Sequence, residues 1–201
     1  MRVGEFSRKA TSQSKIYLDM DGVLADFFAE YAKLAKVKSY RDIPSAKVDP
    51  ILNSIAGTDF FARLPKFPTT DELVKLAVSH AGSYSICSSP LRNDYTNSAY
   101  WKKIWIRAKL TPQPSTVEIT SNKPQHAVTN GVPNILIDDK SSNIRGWREA
   151  GGIGIKYQAD EDSLTVVKQA LDIIFCDVKD TCDSIATIES SNEKEKNIMF
   201  W

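Results

Sequence analysis

The stretch Lys15-Ile16-Tyr17-Leu18-Asp19-Met20-Asp21-Gly22-Val23 restricts the fold more than any other part of the chain. A short apolar run enters two acids spaced one apart, then a glycine and a second apolar segment. Alternate side chains of a strand point to opposite faces, so Asp19 and Asp21 would share a face if the strand continued. Gly22 instead lets the chain turn sharply. Both acids then sit at the carboxyl end of a strand, where open α/β sheets bind ligands. Neighbouring carboxylates repel each other unless a cation or a shared proton compensates, and hard oxygen donors point to magnesium. A surface turn with two solvated acids explains the same residues, so the rest of the chain has to decide.

Downstream, strand and helix patterns alternate. Residues 15–19 read as the first strand, and 23–34 as a helix beginning just after the acids. Residues 39–67 break the pattern with Pro44, Pro50, Gly57 and Pro65, and with short helical pieces such as 50–56; they read as a small helical insertion over the first strand's end. Thr69 to Glu72 has capping-box spacing and opens a helix that Gly82 ends. Residues 84–87 form the next strand, closing on Ser88-Ser89-Pro90. A long helix over 96–108 places Trp101, Ile104, Trp105 and Ala108 at core spacing. Residues 116–120 are strand-like, Lys123-Pro124 opens a helix, and 134–137 is a continuously apolar strand, as a buried parallel strand should be. That strand ends in Asp138-Asp139. A helix with Ile144 and Trp147, a strand over 153–157 and an amphipathic helix over 163–175 complete the pattern.

This alternation predicts an α/β fold: a doubly wound, Rossmann-like parallel sheet with right-handed crossovers and a small helical cap inserted after the first strand. The expected organisation is a flexible arm over 1–14, a core made of 15–28 and 68–177, a cap over 29–67 and a polar tail over 178–201. Strands ending in Asp19/Asp21, Ser88/Ser89 and Asp138/Asp139 bring these groups to one sheet edge, and four acids there call for a cation.

The formal net charge of +1 gives no polyanion-binding surface, so extended nucleic-acid binding lacks support. No segment is apolar and long enough to span a bilayer, and no signal-peptide pattern is present. Cys87, Cys176 and Cys182 lack metal-ligand spacing and suit a reducing cytoplasm; Cys87, inside an apolar run, reads as core. The apolar end 198–201 could dock on its own domain or on a second copy, which leaves a homodimer open.

Converging at one edge, these residues suit phosphoryl transfer. Asp19 as nucleophile would form an aspartyl-phosphate and split one hard displacement into two easier ones. Magnesium held by Asp19, the backbone carbonyl of Asp21 and an acid of the Asp138/Asp139 pair would offset the repulsion between phosphate and carboxylate. Asp21 could protonate the leaving oxygen and then activate water. Ser88 supplies a hydroxyl and nearby amides for phosphate oxygens, and Lys123 a balancing charge.

With Asp19-Met20-Asp21-Gly22-Val23, a strand ending in Ser88, Lys123-Pro124 and a strand ending in Asp138-Asp139, the chain resembles the haloacid dehalogenase (HAD) superfamily over about residues 15–157. Within it, residues 19–27, the segment Thr58-Asp59-Phe60-Phe61-Ala62-Arg63-Leu64 and Ile86-Cys87-Ser88-Ser89-Pro90 resemble the 5′(3′)-deoxyribonucleotidases. The resemblance implies Asp19 as nucleophile, Asp21 as acid/base, Ser88, Ser89 and Lys123 as phosphate holders, and the acidic pair as magnesium ligands. It also implies a nucleobase site lined by Phe27 with Phe60 or Phe61. Lys140, expected among the substrate-binding residues, stands where an arginine is frequent, which trades a bidentate fork for a point charge. Lys102 or Lys103 is the alternative to Lys123, and residues 36–55 have little counterpart in the family. The expected activity is a magnesium-dependent phosphomonoesterase acting on nucleoside monophosphates. Two alternatives stand: a phosphatase for a sugar phosphate or a nucleic-acid terminal phosphate, and a nucleotide-binding regulatory protein without turnover.

Overall fold

The computed structural model describes residues 13–175. Residues 1–12 of the expected N-terminal arm, the tail, Cys176, Cys182 and the apolar end 198–201 lie outside the described residues. The central layer is a five-stranded sheet in the order β3-β2-β1-β6-β7 with every pairing parallel. Its strands are β1 (Ile16–Leu18), β2 (Ser85–Ser88), β3 (Val117–Ile119), β6 (Ile135–Asp138) and β7 (Ile153–Lys156). Strands β4 (Val128–Thr129) and β5 (Val132–Pro133) form a separate antiparallel hairpin. The expected doubly wound sheet is present.

β1, β2 and β6 are buried along their whole length, as strands covered on both faces must be. Alternation sorts their side chains. Ile16, Leu18, Ile86, Ile135 and Ile137 point to the face covered by α4 (Thr70–Ala81), α5 (Tyr95–Lys109) and α7 (Leu164–Phe175), in one cluster with Leu73, Trp105, Val167 and Leu171. Tyr17, Cys87 and Leu136 point the other way, onto Ile144 and Trp147 of α6 (Ser141–Glu149). Burial pushes the Cys87 thiol up to about 12, so it is a protonated core residue, as expected. No described helix is long and apolar enough to cross a membrane.

Chain order reverses between β1 and β6: β2 and β3 continue on one side of β1, and β6 and β7 on the other. A crevice opens at the carboxyl ends of strands at such a switch point. Asp19 and Asp21 follow β1, Asp138 closes β6 and Asp139 follows it. The switch point therefore gathers the acids.

The cap lies between β1 and α4. Its chain leaves through Ala25 and returns through Lys66, which pair antiparallel, and the Asp26 amide donates to the Pro65 carbonyl. Between them lie α1 (Phe27–Ala35), a 3₁₀ turn at Tyr40–Asp42, α2 (Ser45–Ile55) and α3 (Phe60–Arg63). Two attachments hold this segment to the core. On one side Gly57 and Thr58 bond to Asp94 and Asn97, and the Trp105 indole donates to the Leu64 carbonyl. On the other, Arg41 pairs with Glu161, and Gln158 donates to the Tyr40 hydroxyl.

Local readings differ in four places. Residues 23–26 are not helical: the amides of Val23, Leu24 and Ala25 converge on the Met20 carbonyl, and α1 starts at Phe27 with Asp26 as its cap. α2 starts before Pro50 and runs through it, losing one amide in an exposed helix. The Thr69 side chain does not cap α4; its hydroxyl accepts from Tyr157 instead. The hairpin β4–β5 was not expected, although Asn130-Gly131, both at positive φ, is the strongest two-residue hairpin signal.

Candidate active site

The tight turn after β1 aims the first two acids. Gly22 has φ +77°, and a Cβ built there would lie 2.7 Å from Phe28 Cε2 and 3.0 Å from Asp139 Cγ. Only glycine permits both the conformation and this approach of the β6 acids. Asp19 is buried, and its Oδ1 accepts from the Met20 amide at 2.7 Å.

Lys123 joins the two strand ends. Its side chain is 2% exposed, and Nζ lies 2.6 Å from Asp138 Oδ2 and 3.0 Å from Asp19 Oδ1. Burial alone would discharge this lysine, but Asp19 and Asp138 outweigh it and hold the ammonium above its usual pKa. Asp138 is saturated: it also accepts from the Lys140 amide at 2.8 Å and from the Asn143 amide group at 3.0 and 3.1 Å. Desolvation and the neighbouring Asp19 nevertheless raise its pKa. The same two causes, followed by Asp138, push the carboxyl of Asp139 up to about 8.

Asp21 is held separately. Lys102 of α5, fully buried, places Nζ 2.5 Å from Asp21 Oδ2 and 3.0 Å from Ser88 Oγ, with the Phe61 ring centroid at 4.8 Å. Asp21 Oδ1 is buried, and no hydrogen-bond partner meets it among the described residues. A quarter of the side chain reaches solvent, yet this oxygen does not, and desolvation raises the carboxyl pKa against the pull of Lys102.

Four carboxylates thus face two ammonium groups, which leaves a formal excess of two negative charges. Asp19, Asp138 and Asp139 each offer an oxygen, all within 4.8 Å of one another. Hard oxygen donors, this spacing and the charge excess fit a small divalent cation. The Asp21 carboxylate is not among the three; it is committed to Lys102.

The other expected residues fall into two groups. Ser88 is buried at the β2 end beside Lys102, and Ser89, half-buried, follows it. Phe27 is half-buried and joins an aromatic group, with centroids 5.4 Å from Tyr31 and 6.3 Å from Phe61. Phe60 and Phe61 are buried in the main apolar cluster. The Lys140 side chain is exposed ahead of α6, and it is its backbone amide that reaches Asp138. One residue was missed and another underweighted. Asn143, absent from the sequence reading, carries a signal only through its place in the first turn after Asp138-Asp139. Lys102 was an alternative to Lys123, whereas both lysines are buried here and each holds a different acid.

No protein-family model and no curated protein matches the chain. Solved structures do. A hydrolase from Streptococcus pneumoniae TIGR4 aligns over 81% of this chain and 100% of its own, with TM-score 0.50 at 14% identity. A HAD-superfamily hydrolase from Ehrlichia chaffeensis aligns over 85% of this chain and 100% of its own, with TM-score 0.50 at 15% identity. Identities this low speak for architecture. With its acids gathered at the switch point and a helical insertion after β1, the chain shares the doubly wound α/β fold of these two hydrolases.

Proposed function

We propose that the protein is a magnesium-dependent phosphomonoesterase acting on small phosphorylated metabolites, nucleoside monophosphates first among them. The observation that carries this reading is the meeting of Asp19, Asp138 and Asp139 at a site with a formal excess of two negative charges, next to a separately held Asp21.

Asp19 attacks phosphorus in line as the leaving oxygen departs with its bonding pair, and an aspartyl-phosphate results. Asp21 gives a proton to that oxygen and then takes one from the water that cleaves the acyl phosphate. Its raised pKa suits the first task, since a carboxyl must hold a proton to give one. Lys123 and the Ser88 hydroxyl balance charge on the phosphoryl oxygens. Asp19, the Asp21 carbonyl and an acid of the Asp138/Asp139 pair would hold magnesium, whose charge would offset the repulsion between phosphate and carboxylate.

For the substrate, the partly open ring of Phe27 beside Tyr31 supports a nucleobase; stacking on a base contributes roughly 1–3 kcal/mol in single-strand binders. The burial of Phe60 and Phe61 supports a smaller sugar phosphate, because it leaves fewer rings to stack. Phosphate release from a panel of nucleoside monophosphates, sugar phosphates and phosphorylated oligonucleotide ends, with and without magnesium, tests both. Release in excess chelator, or no release from any member, ends the reading.

A second measurement needs no substrate. The Asp139 carboxyl titrates near 8 in the folded, metal-free chain, against 3.8 for an ordinary carboxyl. The folded state therefore keeps a proton that the unfolded chain has lost. Stability from this group is full below the unfolded pKa and disappears as pH rises through the folded one. In chelator, Tm is expected to fall from about pH 5 to about pH 8.5, and magnesium should cancel most of that fall by replacing the proton. A flat metal-free profile would contradict the arrangement of acids described above.

A further inference from the structure

We propose that Lys102 is a positioning residue that fixes the orientation of the Asp21 carboxyl and of the Ser88 hydroxyl, an inference that rests on Asp21 being the proton carrier. α5 buries Ser98, Ala99, Lys102, Trp105 and Ile106 along one stripe, and Lys102 is the one charged member. A buried ammonium persists only where partners replace its water. Here they are Asp21 Oδ2 at 2.5 Å and Ser88 Oγ at 3.0 Å, with the Phe61 ring as a cover at 4.8 Å.

An ammonium has three hydrogens to donate and nothing with which to accept. Both contacts are therefore one-directional. Ser88 Oγ, as acceptor from Lys102, must turn its own hydrogen elsewhere, which makes it a donor toward a phosphate oxygen. Asp21 Oδ2, likewise engaged, fixes the orientation of the carboxyl group, whose other oxygen, Oδ1, is buried with no hydrogen-bond partner among the described residues. In the first step the bond from phosphorus to the leaving oxygen breaks as the Asp19 oxygen bonds to phosphorus. The leaving oxygen takes its proton from the Asp21 carboxyl group, and Lys102 keeps all three of its own. Phe61 comes from α3, so docking of this part of the cap also sets the position of Lys102.

Leaving-group dependence tests the assignment on the full-length protein. An alkyl phosphate needs a proton on its leaving oxygen, whereas p-nitrophenolate leaves without one. Lys102→Met is expected to lower kcat for an alkyl monoester about 10²–10³-fold and for p-nitrophenyl phosphate less than about 10-fold, with KM little changed. Asp21→Asn, run in parallel, should show the same bias. Equal losses of Lys102→Met on both substrates, with the bias intact in Asp21→Asn, would overturn the role of Lys102 and leave the phosphatase reading standing. An absent bias in Asp21→Asn refutes the acid role itself. A crystal structure of Lys102→Met gives a readout independent of turnover: the Asp21 carboxylate is expected to leave its present position, and an unmoved Asp21 sinks the proposal. Should the methionine variant not fold, Lys102→Leu, which likewise has no donor, takes its place in both experiments.

Discussion

Asp19→Asn is expected to release phosphate from its best substrate at least about 10⁴-fold more slowly than the unaltered chain, the scale on which removing a nucleophile acts. An amide oxygen is too weak a nucleophile to form the covalent intermediate, and the neighbouring acids cannot take over, since Asp138 is saturated with donors and Asp21 is tied to Lys102. The stability effect should have the opposite sign. Asp19 is the charge that most raises the pKa of both Asp138 and Asp139, so neutralising it relieves repulsion in the metal-free protein. The asparagine can still accept from the Met20 amide. A metal-free Tm at or above that of the parent, together with lost turnover, is the expected pair of results. It is the signature of a site that gives up stability for chemistry. Retained turnover would remove the nucleophile assignment.

Lys123→Met should produce the largest loss of stability. The lysine touches Asp19 and Asp138 at once with almost no exposure, and its removal leaves two buried carboxylates facing each other. Breaking a buried ion pair on one side costs about 3–5 kcal/mol, which at 2–4 °C per kcal/mol in a chain of this size is roughly 10 °C in Tm. Because the damage is uncompensated negative charge, magnesium should recover part of it, and more in this variant than in the parent. A fall below about 3 °C in chelator would mean that water already screens the pair, as it does at a surface.

The acids were legible from sequence because a parallel sheet turns strand order into spatial proximity: a carboxylate after an apolar run is already located once the run is read as a strand. Lys123 followed from the same logic. Lys102 was hidden by helix phase. Reading Trp101, Ile104, Trp105 and Ala108 as the inner stripe puts Lys102 toward solvent, whereas the buried stripe is Ser98, Ala99, Lys102, Trp105 and Ile106. The two stripes share Trp105 and differ by a fraction of a turn, and large side chains at 101 and 104 made the wrong one look more apolar. Ala108 is exposed. The cap was legible only as an interruption, since its helices are held by contacts to Asp94, Asn97, Gln158 and Glu161 far along the chain. No periodicity within residues 36–55 encodes those contacts.

The central place of β1 has a consequence for biosynthesis. β1 is made before both of its partners, since Tyr17 pairs with Ser85 and Ile16 with Ile135. At ribosomal speeds of about 5–20 residues per second, the second partner appears roughly ten seconds after the first strand. Throughout that interval Ile16, Tyr17 and Leu18 have an unpaired edge, the condition under which nascent chains aggregate. Mutations that weaken β6 should therefore lower the yield of soluble protein more than their effect on the finished molecule suggests, because β6 covers the open edge of β1 and brings Asp138 to the site.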